Sequence, residues 1–179
     1  MGVSIETVRL KARYGCDILL FMAADLVEVH VYKVVIDGGD GLPVVVLLDR
    51  DRDAGLALPV GPFEASAIIM ELEGISPPRP LTHDLLAGFF RESGFSLDRV
   101  ELLGAGEGGP RARLCYRRGL LSRTREVRPS DAVALALRLK SPICAQRALL
   151  DTRAHAEEAA AAMAPDAESY VLRSHSGAL

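Results

Sequence analysis

Runs of apolar residues in the first third of the chain predict three strands. Residues 26–36 (LVEVHVYKVVI) partly alternate between apolar and polar and are rich in valine. Residues 43–49 (PVVVLLD) and 56–60 (LALPV) form two shorter apolar runs. Runs of this length and composition are typical of strands. The glycine-rich segment 37–41 and the charged segment 50–55 separate them, so we expect a three-stranded meander.

Three later segments have apolar residues at the spacing of a helix. The first follows Phe63 and is expected to stop at Gly74. The second covers 83–94, with Thr82 as its N-cap, because a threonine hydroxyl can accept a hydrogen bond from a free backbone amide. The third covers 129–140, where Ser130 or Asp131 is expected at the start.

The remaining patterns predict strands and a helical tail. The predicted strands are 95–103, 111–118, 122–128 and 142–146, with a turn at 104–110 and a hairpin centred on Gly119. The tail from Arg147 is rich in alanine and glutamate and is expected to be helical to about Met163 and loose beyond it. Strands grouped with capped helices predict an α+β fold with mostly antiparallel sheets.

A weak internal repeat relates two of the predicted helices. Residues 65–77 align with 130–142, and the alignment matches Ala67 with Ala132 and Leu72 with Leu137. A duplicated unit of strands followed by a helix would explain this likeness. Two ordinary capped helices would explain it as well, so both interpretations stay open.

Length and composition indicate one main domain. The 179 residues divide into an extension at 1–25, a domain at 26–150 and an alanine-rich tail at 151–179. Met22 begins a segment that resembles a natural start, so the extension could precede the native protein. The three cysteines, far apart in sequence, are expected to be buried thiols in a reducing compartment.

Charge and hydropathy exclude several classes of protein. A net charge of −3 argues against a surface that binds nucleic acid everywhere, and the lack of tryptophan argues against a base-stacking platform. The longest early apolar run, 18–24, is too short to cross a bilayer. We expect a cytoplasmic protein without a membrane partner. The edges of the predicted strands and the alanine-rich helix could be covered by a second copy of the chain, which favours a homodimer.

Polar residues gather where the predicted helices begin. They are Glu64, then Arg79, Thr82, His83 and Asp84, then Arg128, Ser130 and Asp131. Helix starts expose backbone N–H groups that suit phosphate and other anions. Capping explains the threonine, the serine and the two aspartates, but it does not explain His83 or Glu64. A histidine changes charge near neutral pH and can serve as a general acid or base.

Arginine is concentrated in the predicted hairpin. Residues 111–128 hold seven arginines and one acid, Glu126. Because side chains alternate along a strand, Arg111, Arg113 and Arg117 are expected on one face. Such a strip suits phosphates of nucleic acid. The alternative is an edge strand that its charge protects from aggregation.

Two stretches resemble the bifunctional nuclease domain family. They are LPVGPFEASAIIMELEGISPPRPLTHDLL and VRPSDAVALALRLKSPICA, and the resemblance extends over 26–150. It implies an α+β domain with nuclease activity on DNA and RNA, and the polar signature of the family falls on the eight helix-start residues. Many members carry a further acidic helical tail, whereas 147–179 is short and rich in alanine.

The resulting hypothesis is a metal-assisted phosphodiesterase that acts on nucleic acid. Glu64, Asp84 and Asp131 are the candidate ligands of a divalent ion such as Mg²⁺ or Mn²⁺, and His83 would transfer a proton. The expected substrate-binding residues are Arg79, Thr82, Arg113, Arg117, Arg128 and Ser130. The alternative is a non-catalytic regulatory or assembly domain that uses the same residues for structure or for binding a small anion.

Overall fold

The computed structural model describes residues 25–37, 42–106, 109–163 and 167–170. The predicted extension before Asp25, most of the turn at 37–41 and the end of the tail lie outside these residues. The described elements are β1 (Leu26–Asp37), β2 (Val44–Asp49), β3 (Ala54–Pro59), α1 (Pro62–Leu72), α2 (Thr82–Glu92), β4 (Phe95–Gly106), β5 (Gly109–Arg118), β6 (Leu121–Val127), α3 (Pro129–Leu139), β7 (Ile143–Gln146), a 3₁₀ turn (Arg147–Leu149), β8 (Asp151–Thr152), α4 (Arg153–Met163) and β9 (Ala167–Tyr170).

The strands form one mixed sheet. Its order is β6-β5-β4-β7-β1-β2-β3-β8, and β9 pairs with β1. The pairing of β4 with β7 is parallel, whereas the other described pairs are antiparallel. The predicted α+β class and the meander of β1, β2 and β3 are therefore confirmed.

Helices cover both faces of the sheet, which explains the continuous apolar run of β2. Val45 and Leu47 pack into the large core beneath α1, α2 and α3. Val44 and Val46 point the other way and pack with Ala160 of α4. Successive side chains of a strand point to opposite faces of the sheet. A strand that is covered on both faces therefore has apolar residues at consecutive positions.

Glycines end the predicted helix and turn the predicted hairpin as expected. Gly74, with φ +65°, follows the last turn of α1, and Gly119, with φ +58°, joins β5 to β6. Both angles lie in the left-handed region that residues with a Cβ avoid. The turn predicted at 104–110 is wrong in its extent, because Gly106 pairs with Gly109 and both strands continue into that segment.

The tail contains more strand than the sequence predicted. Residues 151–152 pair with β3 and residues 167–170 pair with β1, so the expectation of a loose end after Met163 is wrong for β9. The predicted helix end at Met163 is confirmed, but the helix begins at Arg153 and not at Arg147, because a 3₁₀ turn and β8 occupy the residues before it. None of the helices in the described ranges is long and apolar enough to cross a membrane.

The two described cysteines are buried free thiols, as predicted. Cys115 and Cys144 are at most 3% exposed. Burial raises the pKa of each thiol to about 12. A thiol with so high a pKa is protonated at neutral pH and is a poor nucleophile or metal ligand. Cys16 lies outside the described residues.

Candidate functional site

The helices α1 and α3 begin in the same way. Each starts with a proline at its first position, Pro62 or Pro129, after an extended residue. Each then has an acid two residues later, Glu64 or Asp131. Proline suits the first helical position, where its missing N–H costs nothing, and an acid suits the first turn. The helix starts therefore correspond in a register that differs by two residues from the alignment of 65–77 with 130–142.

The predicted caps are wrong for Thr82 and Ser130. Leu81 and Arg128 occupy the two N-cap positions, and neither side chain caps its helix. Pro129 explains the second correction, because the cap must precede a proline at the first helical position. In α2 the Asp84 carboxylate instead accepts a hydrogen bond from the backbone N–H of Leu81, at 2.8 Å.

Four side chains from the three helix starts form a chain of contacts, which we call the site cluster: Glu64, His83, Arg128 and Asp131. Arg128 Nη2 lies 2.9 Å from Glu64 Oε1. Arg128 also donates to Asp131 through Nε at 2.8 Å and Nη2 at 3.1 Å. At the other end of this series of contacts, His83 Nε2 lies 3.2 Å from Asp131 Oδ1. The structure thus brings together residues that are up to 67 positions apart in sequence.

The members of the site cluster differ in exposure. The side chain of Arg128 is 69% exposed and that of Asp131 33%, whereas His83 is 13% and Glu64 15% exposed. A solute would therefore meet the guanidinium first, with the imidazole partly shielded beside it. Such a site can attract an anion and hold a proton-transfer group close to it.

Charge partners hold the Asp131 carboxylate in its ionised form. Burial raises the pKa of this group, but hydrogen bonds from Arg128 and His83 outweigh burial and keep its pKa below the ordinary value. The hydrogen bond to Asp131 raises the pKa of Arg128 in turn. The ionised carboxylate fixes the orientation of the His83 ring through this hydrogen bond.

Asp84 has a different set of partners, although it follows His83 directly. Its Oδ1 accepts a hydrogen bond from Arg138 Nε at 2.5 Å. Arg138 also donates to the backbone oxygens of Ala134 and Ala67, both at 3.1 Å. This arginine, whose side chain is 4% exposed, therefore ties α1, α2 and α3 together. Burial raises the pKa of Asp84, but the hydrogen bonds from Arg138 and Leu81 outweigh burial and hold the pKa below its ordinary value.

The three candidate metal ligands do not converge as they are placed. Glu64 and Asp131 share Arg128, and Asp84 binds Arg138. In the ranges that the structure describes, no group of three or more histidine, cysteine, aspartate or glutamate side chains could hold a metal ion. The carboxylates therefore do not fit a divalent ion in this arrangement, and the metal stays a prediction from the sequence.

The remaining predicted residues lie apart from the site cluster or carry no contact with it. Arg113 binds Glu101 at 2.5 Å, and Arg117 lies 3.2 Å from Asp98. Both arginines point away from α1, α2 and α3, because the intervening Leu114 faces the core. Arg79 and Thr82 are exposed, whereas Ser130 is buried at 8% exposure.

Sequence reasoning missed Arg138 and the buried network around Glu101. Arg138 interrupts the apolar run AVALALRLK, and a lone charge in such a run could have signalled a buried ion pair. Arg99 and Glu101 are each 1% exposed and bind each other, Arg99 Nε to Glu101 Oε1, at 2.7 Å. Their spacing of two residues places them on one face of β4, which is a weak signal by itself.

Comparison with known proteins identifies the family. Residues 45–158 match the bifunctional nuclease domain, so the chain belongs to the bifunctional nuclease domain family. Two proteins of Mycobacterium tuberculosis, one from strain CDC 1551 / Oshkosh and one from strain ATCC 25618 / H37Rv, are each 37% identical to it over 123 residues. The aligned part covers 69% of this chain and 73% of each relative. Both relatives are described as uncharacterized proteins. The resemblance inferred from the sequence is confirmed.

Proposed function

We propose that this protein is a nuclease that hydrolyses phosphodiester bonds of DNA, RNA or both, with the site cluster as its active site. The observation that carries the proposal is the contact of His83 Nε2 with Asp131 Oδ1 at 3.2 Å, beside the exposed guanidinium of Arg128. Membership of the bifunctional nuclease domain family supports the same class of reaction.

His83 is the proposed proton-transfer group. Hydrolysis forms a bond from a water oxygen to phosphorus and breaks the bond to the leaving oxygen. The water loses a proton, and the leaving oxygen gains one. Asp131 orients the imidazole through Nε2, and Nδ1 has no hydrogen-bond partner among the residues that the structure describes. His83 can therefore exchange a proton with water or with the leaving oxygen through that nitrogen.

Arg128 is the proposed phosphate-binding group. Its planar guanidinium is largely exposed, and arginine binds phosphate oxygens in a bidentate geometry. Glu64 and Asp131 both bind Arg128, so they fix its direction while leaving part of it accessible. Glu64 acts in this proposal as a positioning residue, whereas Asp84 binds Arg138 and holds the start of α2.

A non-catalytic regulatory or assembly domain is the second candidate. The ion pairs favour it, because Glu64, Asp84 and Asp131 all bind arginines and all three lie in the first turn of a helix, where acids are stabilising without any catalytic role. A homodimer, a cytoplasmic location and a divalent ion such as Mg²⁺ or Mn²⁺ are proposed from the sequence alone. Sedimentation equilibrium of the purified chain tests the first of these.

Cleavage of labelled single-stranded DNA and RNA tests the proposal. We would compare the purified wild-type protein with His83→Ala and His83→Gln, in Mg²⁺, Mn²⁺ and EDTA. Loss of a general acid or base lowers a rate by about 10²–10⁴-fold, so both variants should lose most of the cleavage while unfolding at the wild-type urea midpoint. Equal cleavage by all three proteins would reveal a contaminant, and no cleavage by the wild type would favour the non-catalytic domain.

A further inference from the structure

The arginines of the β5–β6 hairpin separate into two groups by the face they occupy. Arg123 lies opposite Tyr116 and Arg125 lies opposite Leu114 in the register of this hairpin. Directly opposed residues of an antiparallel pair point to the same face. Leu114 packs into the core beneath the helices. Arg123 and Arg125 therefore lie on the helix-covered face, opposite to the face that the sequence singled out.

The two groups also differ in their ion pairs. On the other face, Arg111 lies 3.6 Å from Glu126, Arg113 binds Glu101, and Arg117 binds Asp98. Each of these arginines thus has an acidic partner, although Glu101 also binds Arg99. Arg123 and Arg125 are exposed, and neither forms an ion pair with an acid in the part of the chain that the structure describes. Their charges remain available to an anionic ligand.

A groove of about 520 Å³ lies at these two arginines. Tyr116, Arg123, Thr124, Arg125 and Glu126 line it. The Tyr116 ring is held in place because its centroid lies 5.8 Å and 5.9 Å from the rings of two phenylalanines, Phe90 and Phe95. The groove therefore combines a fixed aromatic wall with two cationic groups, and its one acid, Glu126, is paired with Arg111. Proteins that bind single strands commonly use this combination.

The groove leads towards the site cluster. β6 is the edge strand of the described sheet and ends at Val127, directly before Arg128. A strand rises about 3.3 Å per residue, so the backbone of Arg125 lies roughly 10 Å from that of Arg128. A chain of phosphates laid along β6 would pass Arg123 and Arg125 and then reach the exposed guanidinium of the site cluster.

We propose that the edge strand β6 binds the sugar–phosphate backbone of a single-stranded nucleic acid, with Arg123 and Arg125 on successive phosphates to one side of the cleaved bond. This inference rests on the proposed nuclease function and names the surface that presents the substrate to it. It assigns substrate binding to arginines other than Arg113 and Arg117, whose guanidinium groups are bound to Glu101 and Asp98.

Binding of oligonucleotides at several salt concentrations tests this surface. The probe is a fluorescein-labelled oligo(dT) of about 16 nucleotides with a phosphorothioate backbone, followed by anisotropy in EDTA. Each phosphate contact to a single strand contributes about 0.7 to the slope of log K against log salt. The double variant R123A/R125A should therefore lower the slope by about 1.4 and weaken binding at least about tenfold at low salt.

Two matched variants distinguish a local effect of Arg123 and Arg125 from an effect of the net charge of the protein. R50A/R52A removes the same charge from the exposed turn between β2 and β3 and should bind like the wild type. R123K/R125K keeps both charges and should restore most of the slope. Urea unfolding of each variant shows that the fold is retained, since both sites are exposed.

The outcomes distinguish this inference from the proposed function. A wild-type protein that binds while R123A/R125A keeps its affinity and slope would overturn the role of β6 and leave the nuclease proposal standing. A wild-type protein that binds no oligo(dT) would overturn the role of β6, whereas the cleavage assay decides the nuclease proposal separately. Tighter binding of a duplex of equal length, lost in R123A/R125A, would overturn the assignment to single strands.

Discussion

His83 and Asp84 are neighbours in sequence, yet they belong to two different networks. His83 contacts Asp131, which binds the exposed Arg128. Asp84 binds Arg138, which is buried between three helices. The two carboxylates occupy the same place, the third residue of a helix, and each binds an arginine. The two arginines differ in burial: the side chain of Arg138 is 4% exposed, and that of Arg128 is 69% exposed.

The surroundings of an acid–arginine pair therefore decide its role. A buried guanidinium that loses its partner leaves an uncompensated charge, which is strongly destabilising. An exposed guanidinium that loses its partner is solvated by water, and the pair contributes little to stability. We therefore assign stability and the placement of α2 to Asp84 with Arg138, and chemistry to the site cluster.

The largest effect on stability is expected for Asp84→Ala. The variant leaves Arg138 buried with only carbonyl partners, so the free energy of unfolding should fall by about 3 kcal/mol, near the lower end for broken buried pairs. Urea unfolding measures this change. Asp51→Ala, at an exposed turn, is the control and should stay within about 0.5 kcal/mol of the wild type. Equal midpoints for the two variants would contradict a structural role for Asp84.

A pH dependence of stability is expected from both carboxylates. The folded-state pKa values of Asp84 and Asp131 lie below the unfolded value near 3.9. The stability that each pair contributes is thus present above about pH 4 and is lost as the pH falls through the lowered pKa. Asp84→Asn should therefore differ most from the wild type near neutral pH. Urea unfolding from about pH 7 down to pH 3 checks this, and an unchanged difference at all pH values would refute it.

The smallest effect on stability is expected for Gly61→Ala. Gly61 has φ −70°, which alanine adopts without strain, but a Cβ there would overlap Oε2 of Glu64. The variant should displace this carboxylate from Arg128 and change the free energy of unfolding by less than about 1 kcal/mol. Its cleavage rate should fall as far as that of Glu64→Gln.

Gly88→Ala in α2 is the matched control for that substitution. A Cβ at Gly88 would meet no atom within 4 Å. This variant should keep the wild-type cleavage rate. A Gly61→Ala protein that also cleaves at the full rate would remove Glu64 from the proposed mechanism.

The sequence predicted the elements well because their apolar patterns are long and regular. The strands β1 and β2 and the helix α3 follow directly from such runs. The helix starts are less predictable, because serine and threonine are favoured caps, whereas the proline at the first position of α3 places the cap at Arg128. The pairing of β9 with β1 depends on contacts between distant segments, which no local pattern encodes.

The sequence predicts which residues form the candidate site, but not which of them contact each other. The site cluster consists of polar residues at helix starts, and the structure joins them: Glu64, His83, Arg128 and Asp131. Asp84 was chosen on the same ground but pairs with Arg138, since adjacent residues on a helix point about 100° apart. Only the packing of three helices decides which arginine each acid meets.

We assign Asp131 to the reaction and Asp84 to the fold. The most direct test measures the single-turnover cleavage rate and the free energy of unfolding of Asp131→Asn and Asp84→Asn in parallel. We predict that Asp131→Asn slows cleavage at least about 100-fold and changes stability by about 1 kcal/mol or less. Asp84→Asn should lose stability and keep the rate per folded molecule within a few-fold. Full cleavage by Asp131→Asn, or equal loss of rate in both variants, would contradict the claim.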